Sequence, residues 1–327
     1  MNGRKLIRLA LGMAMALLFV WLTLRHIDTA RIAAVMRGAR LDLLAAATLA
    51  LCVGYACRIL RWRTMLLRAN PALRAIDCAG PLLASFAANN VLPFRAGDLM
   101  RAFVFNDRMH TTPGSVLATL FVERLLDLLM VILLLAVALA AFHFDSAGIF
   151  GLGVPLLLLG AAAIVAVLLF PQILQPLLRG LGRLARRLPA AAKVQQELRK
   201  VTDTLTQLAG HSTMLRLIGW SAGVWLIEGG VYWLVAHSLA GVAAPQGAWL
   251  AVPVGTLATL IPSTPGYVGT FDYFTAQAML LAGNEATAAA AFAFLVHMVL
   301  WLPGTVAGGL YLLLRPSTVS VPKGQTI

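Results

Sequence analysis

The stretch ASFAANNVLPFRAGDLMRAF, residues 84–103, decides how this chain folds. It places two adjacent asparagines, a proline, a glycine, two arginines and an aspartate between apolar segments. Because proline cannot continue a helix and disfavours helical conformation in the residue before it, the centre of the stretch is predicted to be non-helical. The stretch is therefore either an ordinary loop between two membrane spans or polar backbone held inside the bilayer.

The composition of the whole chain is that of a membrane protein. Hydrophobic residues make up 60% of the 327 residues and charged residues only 12%, and the mean hydropathy is +0.84. Soluble domains carry about twice that share of charge. Several segments of about twenty residues have almost no charge, which is the length that crosses the hydrocarbon layer as a helix.

The net charge of +13 is unevenly distributed. Basic residues are concentrated at 58–74 and 179–216, whereas the turns at 143–148, 238–247 and 281–287 contain neither lysine nor arginine. Since cytoplasmic loops are enriched in positive charge, the basic groups are predicted to be cytoplasmic loops that also touch anionic lipids. The pattern argues against nucleic acid as a partner. It predicts an inner-membrane, multi-pass protein with both termini in the cytoplasm.

Applied along the chain, this rule predicts an all-α polytopic membrane protein with about six full spans. The predicted spans lie near 6–24, 41–60, 113–142, 149–170, 215–238 and 287–314. Two further segments must each begin and end on one side of the membrane, and each is broken by Pro and Gly, at NNVLPFRAGD and at LIPSTPGYVGTFD. Several of their apolar legs are shorter than the about 18 residues that a span needs, which favours re-entrant helical hairpins over the alternative that each segment crosses the membrane twice.

The order of elements repeats with inversion: span, span, inner hairpin, span, and then span, span, outer hairpin, span. Inverted repeats with broken helices near the midplane are typical of secondary transporters. The single transmembrane domain, residues 1–327, has these predicted parts: a first inverted half at 1–145 with the hairpin 77–110, and a second at 146–320 with an amphipathic basic segment at 171–214 and the hairpin 246–283.

Ionisable residues within predicted spans are functional candidates because they are costly in lipid. Those near the first break are Arg95, Asp98 and Arg101, and those predicted to form a coupling or charge network are Glu123, Arg124, Asp127, Glu228 and Asp272. One interpretation is a neutralised network in which Arg95 or Arg101 pairs with Glu123 or Asp127 to lock the hairpin. The convergence of the whole set on two breaks favours the other, a polar cavity.

Broken-helix N–H groups together with arginine suit an anion such as phosphate. The predicted substrate-binding residues are Asn89, Asn90, Pro93, Arg95, Gly97, Asp98, Arg101, Ser263, Thr264, Pro265 and Gly266. The carboxylates can balance buried arginine, recognise a cationic headgroup or carry protons, and these roles stay open. No cofactor, metal site or catalytic residue is predicted, since the histidines form no spaced pair and the three cysteines have no zinc or redox spacing.

Three ordered motifs resemble the lysylphosphatidylglycerol synthase transmembrane-region family, also called the flippase-like domain family. Its pattern is approximately N-x-x-x-P-x-R-x-G-[DE]-x-x-R, then E-R-x-x-D, then P-x-x-P-G-x-x-G. The matching residues here are Asn89 or Asn90, Pro93, Arg95, Gly97, Asp98 and Arg101; Glu123, Arg124 and Asp127; and Pro262, Pro265, Gly266 and Gly269. In multidomain members this region is linked to moving a modified phospholipid across the membrane. We expect a stand-alone member without the soluble aminoacyl-transferase domain.

The leading hypothesis is a lipid translocase rather than an enzyme, which moves a polar-headgroup lipid between leaflets by alternating access around a midplane site. An anionic or phosphate-containing headgroup fits best. No Walker A loop occurs, which leaves proton coupling through Glu123, Asp127 or Glu228, or downhill scrambling. The alternatives are a membrane-embedded enzyme acting on a lipid phosphate and an accessory scaffold of a lipid-biosynthesis pathway. The sequence leaves the oligomeric state open.

Overall fold

The computed structural model describes residues 3–25, 29–92, 95–106, 109–141, 150–185, 191–261 and 264–314, and all regular structure in them is helical. The α-helices are α1 Gly3–Leu24, α2 Thr29–Arg37, α3 Leu41–Leu66, α4 Ala75–Val91, α5 Ala96–Phe103, α6 Pro113–Ala141, α7 Phe150–Leu169, α8 Gln175–Ala185, α9 Ala191–Leu208, α10 His211–Ser238, α11 Ala248–Ala258, α12 Thr270–Leu281 and α13 Ala286–Leu314. Short 3-10 turns occur at Pro171–Leu174, Pro245–Gly247 and Pro265–Tyr267.

Three of the described helices, α3, α6 and α13, are long and apolar enough to cross a membrane. The number rises to five if the bent pairs α1 with α2 and α7 with α8 are each counted as one span. The chain is therefore a helical membrane protein with fewer clear spans than the six predicted. Helix α10, predicted as the span 215–238, has 28 residues but is not among the three; it carries Arg216 and Glu228.

The basic group at 58–74 was predicted to lie in a loop, and this is wrong for its first half. Helix α3 continues to Leu66, so Arg58, Arg61 and Arg63 are helical. Arg61 is 1% exposed. The helix continues because its apolar face does: Trp62, Met65 and Leu66 are all buried in the core.

Helices α4 and α5 lie on either side of the first break, between Val91 and Ala96, which we call the first tip. Arg95 has φ 52°, a left-handed conformation that ends the non-helical stretch before α5 begins. Gly97 lies against the backbone carbonyl of Ser85 in α4, and a methyl group at this position would overlap with that carbonyl. Close packing of the two legs therefore requires glycine at position 97.

Helices α11 and α12 lie on either side of the second break, between Ala258 and Thr270, which we call the second tip. Gly266, Tyr267 and Gly269 have φ of 72°, 62° and 89°, so three left-handed residues turn the chain. The Asp272 carboxylate then accepts the Gly269 N–H at 2.8 Å and caps the start of α12. The four legs of the two hairpins have 17, 8, 11 and 12 residues, each shorter than the about 20 that a span needs.

The hairpins are embedded in a core built around α3 and α10, which pack along each other. Helix α4 packs on α13, and in the reciprocal arrangement α11 packs on α6. The contact of α4 with α13 is close, because Gly308 abuts the Leu83 carbonyl. Each hairpin therefore packs on both α6 and α13, the first through α5 and α4 and the second through α11 and α12, and this brings the two tips together.

Candidate functional site

A cavity of about 490 Å³ opens where the two tips meet. Asn89, Asn90 and Arg95 reach it from the first tip, and Gly266 and Tyr267 reach it from the second. Gly266 lies so close to the Asn90 carbonyl and the Trp301 indole that a side chain there would press on both. The volume is in the range of small-ligand sites.

The structure sorts the predicted site residues into three groups. Those that line the cavity are Asn89, Asn90, Arg95, Arg124, Asp127, Glu228 and Gly266. Those that lie beside it without lining it are Gly97, Asp98, Arg101, Glu123, Thr264, Pro265 and Asp272. Pro93 and Ser263, and Pro262 of the third motif, lie outside the described residues.

Arg101 forms the best-buried ion pair of the site. Its two terminal nitrogens donate to the two carboxylate oxygens of Glu123, both at 3.1 Å, and Arg101 and Glu123 are 0% and 3% exposed. It also contacts Asp98 at 3.2 Å and lies over the Trp62 ring. Arg101 therefore fixes α5 to α6, the locking role that the sequence offered as one interpretation, and it does not face the cavity.

Sequence reasoning missed two further arginines of this network. Arg61 donates to Asp127 at 2.7 Å and to Ser221 at 3.0 Å, and the Trp225 indole donates to the same Asp127 oxygen at 3.2 Å. Arg58, one turn earlier on α3, forms an ion pair with Glu228 and lines the cavity. The signal available in the sequence was their spacing of three, which places both arginines on one face of α3.

The remaining arginines, Arg95 and Arg124, present charge to the cavity. Arg124 pairs with Glu123 at 2.9 Å, but more than a third of its side chain is exposed. Arg95 has no carboxylate within 4 Å in the described part of the chain, and its Nε–H is buried without an acceptor there. Its guanidinium lies 6.0 Å from the centre of the Tyr267 ring across the tips. Among the described residues, both carboxylates that line the cavity, Asp127 and Glu228, are paired with an arginine, and Arg95 is the lining arginine without such a pair.

His297 of α13 holds the second tip. Its Nδ1 lies 2.8 Å from Asp272 and its Nε2 lies 2.9 Å from the Gly266 carbonyl. Both neighbours are hydrogen-bond acceptors, and which ring nitrogen donates depends on the tautomer of His297. Sequence analysis did not include His297 among the site residues, because a lone mid-helix histidine has no motif around it.

Asn90 joins the first tip to α13. Its amide donates to the Thr305 hydroxyl at 2.8 Å, and its neighbour Asn89 donates to Asp98 at 3.1 Å. In the described ranges no three His, Cys, Asp or Glu side chains are grouped so as to hold a metal ion. The side chains that line the cavity present guanidinium, carboxylate, imidazole and amide groups.

Residues 6–308 match the family described as the lysylphosphatidylglycerol synthase TM region. The chain belongs to this family. The resemblance carried by the three motifs is thus confirmed, and for this family member the cavity lies where the first and third motifs meet.

A curated relative is the protein named glycosyltransferase AglD from Haloferax volcanii, which is 27% identical over 320 residues. The alignment covers 88% of this chain and 51% of that protein, so the chain spans about half the length of the relative. No solved structure matches this chain.

Proposed function

We propose that this family member is a lipid translocase that moves a polar-headgroup lipid between the leaflets of the cytoplasmic membrane. Family membership and the apolar helices support a membrane protein with a lipid-related role. The observation that carries the proposal is Arg95, a cation with no carboxylate within 4 Å among the described residues, at the wall of a cavity formed by two broken helices. We place the basic segments and both termini on the cytoplasmic side.

The proposed headgroup is anionic and contains phosphate. Arginine binds phosphate through two parallel N–H groups, and Arg95 and Arg124 both face the cavity with part of their donor capacity unused. The amides of Asn89 and Asn90 line the same wall. The acyl chains would lie against the apolar part of the lining, which includes Leu51, Phe86, Leu128, Val131, Leu257 and Leu300.

Alternating access is proposed to arise from rocking of two inverted halves. The reciprocal packing of α4 on α13 and of α11 on α6 is what such a repeat requires, and α3 and α10 would form its axis. The cavity lies between these pairs, so a small rotation would open it to one side or the other. Since Glu123, Asp127 and Glu228 each pair with an arginine, we favour downhill exchange over proton coupling through them.

A second candidate function is an enzyme that acts on a lipid phosphate, and it is motivated by the name of the relative, a glycosyltransferase. Against it, the carboxylates that would act as acid or base are paired with arginine in this arrangement. Transport and catalysis differ in one observable, because only an enzyme converts the lipid into a new chemical species.

The test is leaflet exchange in reconstituted vesicles, with fluorescent phosphatidylglycerol as the anionic probe and fluorescent phosphatidylcholine as the zwitterionic one. Arg95→Ala is expected to lower phosphatidylglycerol exchange by about tenfold, the loss typical of one charge-assisted contact. Arg40→Ala is the matched control, because Arg40 forms only an exposed ion pair with Asp42. Unchanged exchange of both probes in Arg95→Ala would overturn the site assignment, and a new lipid species detected by mass spectrometry would establish the enzyme instead.

A further inference from the structure

The axis of helix α8 is perpendicular to that of α7. Helix α7 ends at Leu169, Pro171 begins the next turn, and the axes of Gly153–Leu169 and Pro171–Leu184 differ by 91°. If α7 crosses the bilayer, α8 runs parallel to its surface.

The side chains of α8 are divided between two faces. Leu177, Leu181 and Leu184 follow the i, i+4, i+7 spacing of one helical stripe, and they are 62%, 45% and 64% exposed. Phe170 and Ile173 precede the stripe and are also exposed. An apolar stripe on a helix parallel to the membrane is the arrangement of interfacial helices, whose apolar face enters the boundary between headgroups and acyl chains.

The opposite face of α8 is basic. Arg179 and Arg183 line a crevice of about 410 Å³ against α9, which contributes Arg199, and none of the residues lining this crevice is acidic. The Glu197 carboxylate of α9 does not line the crevice; it accepts the Gly114 N–H at 2.6 Å at the start of α6. The three guanidiniums therefore have no acidic neighbour in the crevice and suit a surface of phosphate groups.

The pair α8 and α9 is attached firmly to the rest of the protein. In addition to the contact of Glu197 with Gly114, the Thr204 hydroxyl donates to Ser115 at 3.3 Å, and Leu205 and Leu208 are buried in the core. These contacts tie α9 to the first turn of α6, the helix that carries Arg124 and Asp127 in the cavity wall, and α8 in turn packs on α9.

We propose that α8 is an in-plane helix that docks on an anionic phospholipid leaflet, with its leucine stripe at the acyl boundary and Arg179, Arg183 and Arg199 at the headgroup phosphates. The occupant is the leaflet because the stripe is apolar, the charged residues described in the lining of the crevice are all positive, and the helix is perpendicular to α7. This site is separate from the cavity and does not depend on the transport function.

The first test measures the environment of the stripe in the full-length protein. A fluorophore is attached at Leu181→Cys, with Cys52, Cys57 and Cys78 replaced by alanine, and the protein is reconstituted into vesicles of phosphatidylcholine and phosphatidylglycerol. Arg68→Cys, an exposed position after α3, is the water-facing reference. We expect brominated acyl chains to quench the label at position 181 but not at 68. Equal quenching of both labels by aqueous iodide would overturn the proposal.

The second test measures the lipid. Phosphatidylglycerol retained after mild detergent extraction is counted by native mass spectrometry for the parent and for Arg179→Gln/Arg183→Gln/Arg199→Gln. Each basic residue near an anionic surface contributes about fivefold to the affinity for that surface. We therefore expect the triple variant to retain at least about tenfold less phosphatidylglycerol than the parent. Arg40→Gln is the control and should retain as much as the parent. Equal retention would contradict the proposal. Two further outcomes of the fluorescence test would overturn the proposal. If protection of the label at position 181 from iodide grows with the protein-to-lipid ratio, the stripe contacts a second copy of the protein. If this protection is seen only in native membranes, the stripe contacts a partner protein.

Discussion

The two tips differ in what holds them. The first tip is held by ion pairs: Arg101 joins α5 to Glu123 with both groups buried, and Asp98 and Arg124 extend the network. The second tip has no lysine or arginine from residue 260 to 272 and is held by His297 through two hydrogen bonds. Separating buried ion pairs costs more than breaking two hydrogen bonds. We therefore expect the first tip to be the fixed wall of the cavity and the second tip to be the part that moves.

The largest effect is expected at the fixed wall. Arg101→Ala leaves Glu123 as a buried charge with less compensation, so the free energy of unfolding should fall by about 3–5 kcal/mol. Thermal unfolding in detergent measures this, with Arg74→Ala as the control because the Arg74 side chain is exposed and solvent screens its pair with Asp77.

If Arg101→Ala fails to fold, the double variant Arg101→Met/Glu123→Leu shows whether the cause is the loss of the ion pair itself or the buried charge of Glu123 that remains. Replacement of a buried ion pair by apolar side chains of similar volume is often neutral or stabilising, so the double variant should recover most of the loss. A single variant that melts like the parent would show that the first tip does not depend on this pair.

An intermediate effect is expected at the turn of the second tip. Gly266→Ala places a methyl group in a left-handed residue and against Trp301 and Asn90, so strain and overpacking together should cost about 2–4 kcal/mol. Gly283→Ala is the matched control: its φ is 94° but no atom lies within 4 Å of the added carbon. The difference in melting temperature between the two variants reports how tightly the tips meet, and equal destabilisation would refute that contact.

The smallest effect on stability, but the most selective, is expected at His297. His297→Ala removes the side-chain contacts with Asp272 and Gly266 and should cost about 1–3 kcal/mol, while His297→Gln keeps a side chain that forms hydrogen bonds and should lose less. Hydrogen exchange should accelerate at residues 264–272 and stay unchanged at 95–103. Equal acceleration at both tips would contradict the division into a fixed and a moving wall.

Much of this fold was predictable because its signals are local. The run of apolar residues predicted helical spans, and Pro and Gly located both breaks, because these residues act on their own backbone and immediate neighbours. The count of six spans is not confirmed: α10 has the length of a span, but it carries Arg216 and Glu228 and is not among the three described helices that are long and apolar enough to cross alone.

The error at Arg58 and Arg61 has a different cause. The number of basic residues in a segment predicts the side of the membrane on which the segment lies, but it does not show where the preceding helix ends. Helix α3 continues past both arginines to Leu66. Their partners, Glu228 and Asp127, lie 170 and 66 residues further along the chain. No local pattern reports a pairing over such a separation.

By itself the sequence determined the class of the protein, its family, the positions of the two breaks and the set of polar residues near the first one. Only the tertiary structure decided which arginine locks and which faces the cavity: Arg101 is paired with a carboxylate on both oxygens, whereas Arg95 has none within reach in the described residues. The reason is physical. A guanidinium has the same charge wherever it lies, and its role depends on whether the packing of distant helices brings a carboxylate against it.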